Sequence, residues 1–271
     1  MKRNLPTLHT LAIFLLLISS GIHADEVHEK KWELGVGLGS VYGPDYRGSD
    51  EYRSFTSIIP YVVYRGKFIR SDRDGVKAQF FSSDDIDFSL SASAYISPNS
   101  DENKRRENMP ALGSTLELGP SLNIRLTGEN LHNGWQLQLP WRAVFALGGS
   151  SNKMIGSVIQ PQLVYQHKFS AWNLRYRTSV MLASNAYHDY YYSVAAPYVT
   201  AERPAFQTSS GYSGFVNDIA LSRELDIADL KTRVAFFIRY DNLANVKFNK
   251  SSLFVSENVW RGGIAFIWVI K

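Results

Sequence analysis

The sequence predicts an all-β chain, a single transmembrane antiparallel up-and-down β-barrel of about twelve strands. Three observations carry that expectation. Apolar and polar residues alternate with a period of two almost to the C-terminus. The alternating runs are about 10–14 residues long, as a tilted membrane-crossing strand requires, whereas soluble sandwich strands are nearer 5–6. The chain also opens on an export signal.

Lys2 and Arg3 form a positive n-region, Leu11 to Ile18 an apolar core, and the run to Ala24 ends in small residues just before Asp25-Glu26. Signal peptidase reads that order. The apolar stretch is too short to span a bilayer as a helix, which needs roughly 20 residues. The expected organisation is therefore a cleaved signal peptide over 1–24 and an outer-membrane barrel over 25–271. Removal of Lys2 and Arg3 takes the formal charge from +4 to +2. So small a balance argues against nucleic acid as a partner, which calls for clustered Lys and Arg. The chain has no cysteine, which excludes disulfides and thiolate metal sites. Its 20% charged content does not argue against insertion, because a barrel alternates lipid-facing with lumen-facing residues.

The alternation is clearest at TLELGPSLNIRL. Leu116, Leu118, Leu122, Ile124 and Leu126 share one face; Glu117, Ser121, Asn123 and Arg125 share the other. WQLQLPWRAVF sets Trp135, Leu137, Leu139 and Trp141 against Gln136, Gln138 and Arg142. WNLRYRTSVML opposes Trp172, Leu174, Tyr176, Val180 and Leu182 to Asn173, Arg175, Arg177 and Ser179. LKTRVAFFIRY sets Val234, Phe236, Ile238 and Tyr240 against Lys231, Arg233 and Arg239, and WRGGIAFIWVI aligns Trp260, Ile264, Phe266, Trp268 and Ile270. Trp135, Trp172, Tyr240 and Trp260 fall near run ends, where an interfacial girdle places aromatics.

Strands are expected at about 32–41, 53–64, 67–80, 86–97, 113–126, 134–146, 155–167, 171–184, 188–197, 212–225, 230–242 and 258–270. Arg65-Gly66, Asn185-Ala186 and Asp226 to Asp229 read as short periplasmic turns. Tyr42 to Glu51, Tyr198 to Gly211 and Leu243 to Ser256 read as outer loops. Strand counting puts the long charged segment Pro98 to Ala111 on the periplasmic side, unless one hairpin upstream is miscounted; RSDRDG, which interrupts 67–80, is where that would occur.

At GLGSVYGPDYRGSDEYR the sequence becomes specific. This Gly-rich strand, the G-x-D-Y-x-G-S-D-x-Y-R that follows it and a strand ending in Y-R-x-G-K-F resemble the MipA/OmpV family of outer-membrane proteins. MPALGSTLELGPSL, from Met109 to Leu122, is similar to the family's central motif, and AYHDYYYSV, from Ala186 to Val194, to its late Tyr-rich strand. Members generally finish on an aromatic residue, whereas here Trp268 or Ile270 would take that part before Lys271. The resemblance implies a barrel acting as a scaffold. Its name-giving member interacts with a membrane-bound lytic transglycosylase and a bifunctional penicillin-binding peptidoglycan synthase, coupling murein cleavage to synthesis. On that reading Lys104, Arg105 and Arg106 are a candidate partner loop if they face the periplasm.

No catalytic constellation emerges, so no enzyme activity, cofactor or metal is expected. His167, on the lipid-facing register near the outer end of its strand, has only Ser170 close by and reads as an interfacial aromatic. His132 and His188 lie in or beside turns, and Asp84-Asp85 and Asp50-Glu51 read as solvated loop ends, short of the oxygens a calcium site needs. Asp45, Tyr46, Arg47 and Asp50 form either a plug in the barrel mouth or an exposed loop turned by Gly43 and Gly48. Glu117, Arg125, Arg142, Arg175, Arg177, Arg233 and Arg239 are the candidate lumen wall. Such a wall would favour anions in a small pore, the alternative to a scaffold. Equally, these arginines could fill a narrow interior by pairing with Glu117, Asp218, Glu224 and Asp241.

Overall fold

A computed structural model describes residues 32–64, 69–72, 75–83, 85–95, 102–128, 133–150, 152–227 and 230–270. The signal-peptide segment, the Arg65-Gly66 turn and His132 lie outside these residues. The strands are β1 (Trp32–Pro44), β2 (Tyr52–Tyr64), β3 (Ile69–Asp72), β4 (Gly75–Ser82), β5 (Ile86–Tyr95), β6 (Ser114–Arg125), β7 (Gly134–Leu147), β8 (Lys153–Ile159), β9 (Gln162–Phe169), β10 (Trp172–Ala183), β11 (Gly211–Ile227), β12 (Leu230–Asn242) and β13 (Asn258–Val269). Among the described residues one α-helix, α1 (Asn185–Tyr192), follows β10.

All ladders are antiparallel, in the order β2-β1-β13-β12-β11-β10-β8-β7-β6-β5-β4-β3. β9 pairs with both β7 and β10 in the register of β8, so β8 and β9 are one strand interrupted at Gln160-Pro161. Proline cannot donate to a ladder, and the break is where that donor is missing. First and last strands pair directly, Gly35 opposite Val269, which puts both ends of the barrel chain at one rim. The sheet curls on itself: Arg261 of β13 reaches Tyr95 of β5, seven places further along the ladder, with its guanidinium 4.3 Å from the ring centroid.

The period of two becomes an inside and an outside. Leu139, Trp141, Ile159, Leu163, Val180, Leu182, Phe236, Ile238, Trp260 and Trp268 all stand exposed on the outer face. Gln136, Gln138, Gln162, Ser179, Asn123, Ser121 and Arg233 are buried on the inner one. An apolar belt around a sheet whose strands pair in turn from β2 to β3 suits hydrocarbon, because ladder pairing satisfies backbone N–H and C=O groups there. Aromatics mark both rims: Trp135 lies 5.0 Å from Tyr165 at the terminal rim, and Tyr240 lies 4.7 Å from Trp260 at the other.

Two expected elements are corrected. The run 67–80 holds a hairpin, β3 to β4, with Asp72 opposite Gly75, so the chain reverses within RSDRDG. The run 188–197 is not a strand, because α1 occupies its first half. The Ser184 side chain caps α1, and Tyr187, His188, Tyr191 and Tyr192 form its buried stripe at helical spacing. The two errors cancel in the strand total but not in the topology between them. The added hairpin moves the 98–111 loop to the rim opposite the chain ends, and Asn185-Ala186 opens α1 at that same rim instead of making a periplasmic turn.

Candidate functional site

The loops between β1 and β2, β5 and β6, β10 and β11, and β12 and β13 converge on the rim away from the chain ends. The first of them folds into the lumen. Asp45, Tyr46, Arg47 and Ser49 are buried, while Asp50 stays outside. Arg47 is its anchor. Its Nε donates to Asp241 Oδ1 at 2.9 Å, and its Nη1 reaches Ser213 Oγ at 3.3 Å and Met181 Sδ at 2.8 Å. Burial opposes the Arg47 charge, but Asp241 more than offsets that and holds the guanidinium protonated. Gly214 leaves the space it needs. A Cβ there would lie 2.9 Å from Arg47 Nη2, and the backbone at φ +113° is one that glycine adopts readily.

An aromatic core locks the anchor in place. Tyr192 stacks on Phe248 at 3.6 Å, and its hydroxyl donates to the Arg47 carbonyl at 2.8 Å. The Tyr46 hydroxyl donates to the Leu253 carbonyl at 2.7 Å. Gly48, at φ +87°, turns the loop under Phe254, where a Cβ would sit 2.4 Å from the ring. Its carbonyl accepts from the amides of Val255 and Ser256. His188 is fully buried here, its Nδ1 2.7 Å from the Ser209 carbonyl and its ring 5.0 Å from Phe248. Burial lowers the His188 pKa and pushes the Tyr187 phenol up to about 12.

The 104–106 segment belongs to this mouth. Asn103 donates to Asp45 Oδ2 at 2.8 Å and to Ser49 at 3.1 Å. Arg106 is buried over the Tyr46 ring and donates to the Tyr191 carbonyl at 2.9 Å; burial lowers its pKa. Arg105 and Lys104 are exposed, Arg105 pairing with Asp50 at 3.3 Å. Arg203, unremarked in the sequence, clamps the segment by donating to the Arg105 and Glu107 carbonyls. The aromatic spacing of α1 was the readable signal for part of this core; nothing in the sequence pointed to Arg203.

Below the mouth, the lumen residues expected from the alternation face inward and meet partners. Arg142 lies 3.5 Å from Glu117, Arg177 2.5 Å from Asp218 and Arg239 2.9 Å from Asp241, and Arg233 pairs with Glu224. Arg175 faces the same interior, opposite Ala220 and Gln166. Arg125 closes the terminal rim by pairing with Asp85. Between them runs an amide ladder, Gln162 to Gln138 at 2.5 Å and Gln138 to Gln136 at 2.8 Å. His167 lies on the outer face between Tyr165 and Phe169, three residues before the terminal-rim turn at Ser170 and so at the opposite end of its strand from that expected.

The family model for MltA-interacting protein MipA matches residues 36–270, which takes in the wall, the plug loop and every mouth loop. The chain belongs to the MipA family. MipA-family sequence thus spans the described barrel almost from end to end. No curated protein matches the chain. Among solved structures it is similar to the outer-membrane channel DcaP of Acinetobacter baumannii, at 8% identity over 88% of this chain and 96% of that one, with a TM-score of 0.34. It is also similar to the CymD monoaromatic hydrocarbon channel, at 8% identity over 90% and 89%, with a TM-score of 0.33. The lipid-suited belt and the family make this an outer-membrane β-barrel.

Proposed function

We propose that this MipA-family barrel is a non-enzymatic scaffold for peptidoglycan-remodelling enzymes, a membrane-bound lytic transglycosylase and a bifunctional penicillin-binding synthase. The family supports the reading, and one structural observation carries it: Arg47 seats the first loop in the outer mouth. A barrel closed in this way is suited to presenting a surface. That surface is the periplasmic rim, with the short turns near Ser83 to Ile86, Ser170 and Ile227. Lys104 and Arg105 lie at the other rim and are not part of it. The test is capture of the membrane-bound lytic transglycosylase, purified without its lipid anchor, and of the purified synthase by the immobilised, refolded barrel. Capture is expected, and unchanged capture by Lys104→Ser/Arg105→Ser. A folded barrel that captures neither enzyme retires the reading.

A second reading, a gated pore, is favoured by the polar, arginine-bearing lumen beneath the plug. Under it the wild type is silent in a planar bilayer, while Arg47→Ala or Gly214→Ala gives discrete openings. Folded variants that stay silent exclude it.

A further inference from the structure

One row of the wall sets two arginines directly opposite each other. Across the ladders from β12 to β10, Arg239, Asp218 and Arg177 stand directly opposite one another on the inner face. On the other side Arg239 stands opposite Arg261 of β13. Gly43 lies beside Arg261, one step beyond the Tyr42–Gly262 pair, and Gly43 itself opposes Arg53. Like charges directly opposite each other destabilise a sheet, and neither alternation nor barrel closure calls for the Arg239–Arg261 pair.

Most of the row's charge is balanced. Arg53 has Asp45 at 3.0 Å, Glu51 at 3.4 Å and Glu102, and Arg177 has Asp218 at 2.5 Å. Asp241 serves both Arg47 and Arg239, each at 2.9 Å. Two guanidiniums thus share one carboxylate. Among the described residues, the direct contacts of Arg261 are uncharged: the Tyr95 hydroxyl, the face of the Tyr95 ring and the Pro44 carbonyl at 3.5 Å. Gly43 makes room for this arrangement, since a Cβ there would lie 2.8 Å from Arg261 Nε.

We propose that Arg239 and Arg261 form a lumen site, just under the plug, for a compact oxyanion of the phosphate or phosphomonoester class carried by a small solute. The planar Arg261 fork matches the oxygens of such a group, and Arg239, whose Nε and Nη2 are held by Asp241, adds its Nη1 and its charge from the neighbouring strand. The anion gives Arg261 a charged partner in place of its uncharged contacts. The site depends neither on capture of a periplasmic enzyme nor on conduction, so its failure and theirs are separable.

The experiment is the midpoint of heat-modified gel mobility of the full refolded barrel, in inorganic phosphate against chloride at matched ionic strength. For a millimolar site, tens of millimolar phosphate raise the midpoint by about 5 °C. Arg261→Gln abolishes the rise, and Lys104→Ser/Arg105→Ser, which removes exposed cations, keeps it. Should Arg261→Gln not fold, Arg261→Lys decides, with the rise cut by half or more because the fork is gone. No rise in the wild type, or a full rise in the Arg261 variant, overturns the site.

Discussion

The mouth and the lower lumen of this barrel are both interiors, yet they are built differently. The lower lumen is assembled from neighbours on adjacent strands: Arg177 meets Asp218, Arg233 meets Glu224, and Gln162 meets Gln138. The mouth is assembled from residues far apart in the chain. Arg47 and Asp241 are 194 positions apart, and Tyr46 and Leu253 207. The first kind of interior is a by-product of strand pairing. The second is packed like the core of a soluble domain, with stacked aromatics and buried hydroxyl-to-carbonyl bonds. It follows that the mouth can fail while the wall stands, whereas damage to the wall is felt by the whole barrel.

The largest test of that contrast is Phe248→Ala. Phe248 is fully buried against Tyr192, so its loss costs the mouth about 3–5 kcal/mol. Proteases should then nick the outer loops while heat-modified mobility still reports a folded barrel. Simultaneous loss of both signals would show that mouth and wall form one cooperative unit. Next is Arg47→Ala, which removes one partner of a buried ion pair at a cost of about 3 kcal/mol. The cost is tempered because Arg239 still neutralises Asp241. Loop proteolysis should again rise without loss of barrel mobility.

Gln138→Leu probes the other interior. It strands the amides of Gln136 and Gln162 for about 1–2 kcal/mol. Here the mobility midpoint of the barrel should fall and loop proteolysis stay unchanged, the reverse of the mouth variants. The smallest effect comes from pH. Burial lowers the His188 pKa below that of an unfolded imidazole, with Arg47 adding to the shift and Asp189 opposing it. The neutral ring therefore stabilises the mouth fully above about pH 6.5, and that contribution fades as pH falls below it. Loop proteolysis should increase on acidification in the wild type, and His188→Phe should flatten that dependence.

Much of the wall was legible. Glu117, Arg142, Arg177 and Arg239 could be placed on the inner face because each strand residue has only two directions to point, and lipid on one side decides between them. The plug reading of Asp45 to Asp50 could be framed but not chosen, since the Asp241, Ser213 and Met181 that hold Arg47 lie on strands far along the chain. The side of the 98–111 loop was lost to a single hairpin, because RSDRDG breaks the alternation and a short run on either side of a turn carries too few residues to show its own period. The α1 segment was misread as a strand, although Ser184 at its cap and Tyr187, Tyr191 and Tyr192 on one stripe are helix signals.

By itself the sequence determined the period and length of most wall strands and which of their residues face lipid. Those features depend on near neighbours and on the difference between hydrocarbon and water. Only the tertiary structure decided the mouth: which rim the Lys104–Arg106 turn joins, that Arg106 is buried there, and that Arg47 finds Asp241. Closure of the sheet brings those groups together from distant strands, and no local pattern in the chain encodes where a closed ladder will carry a loop.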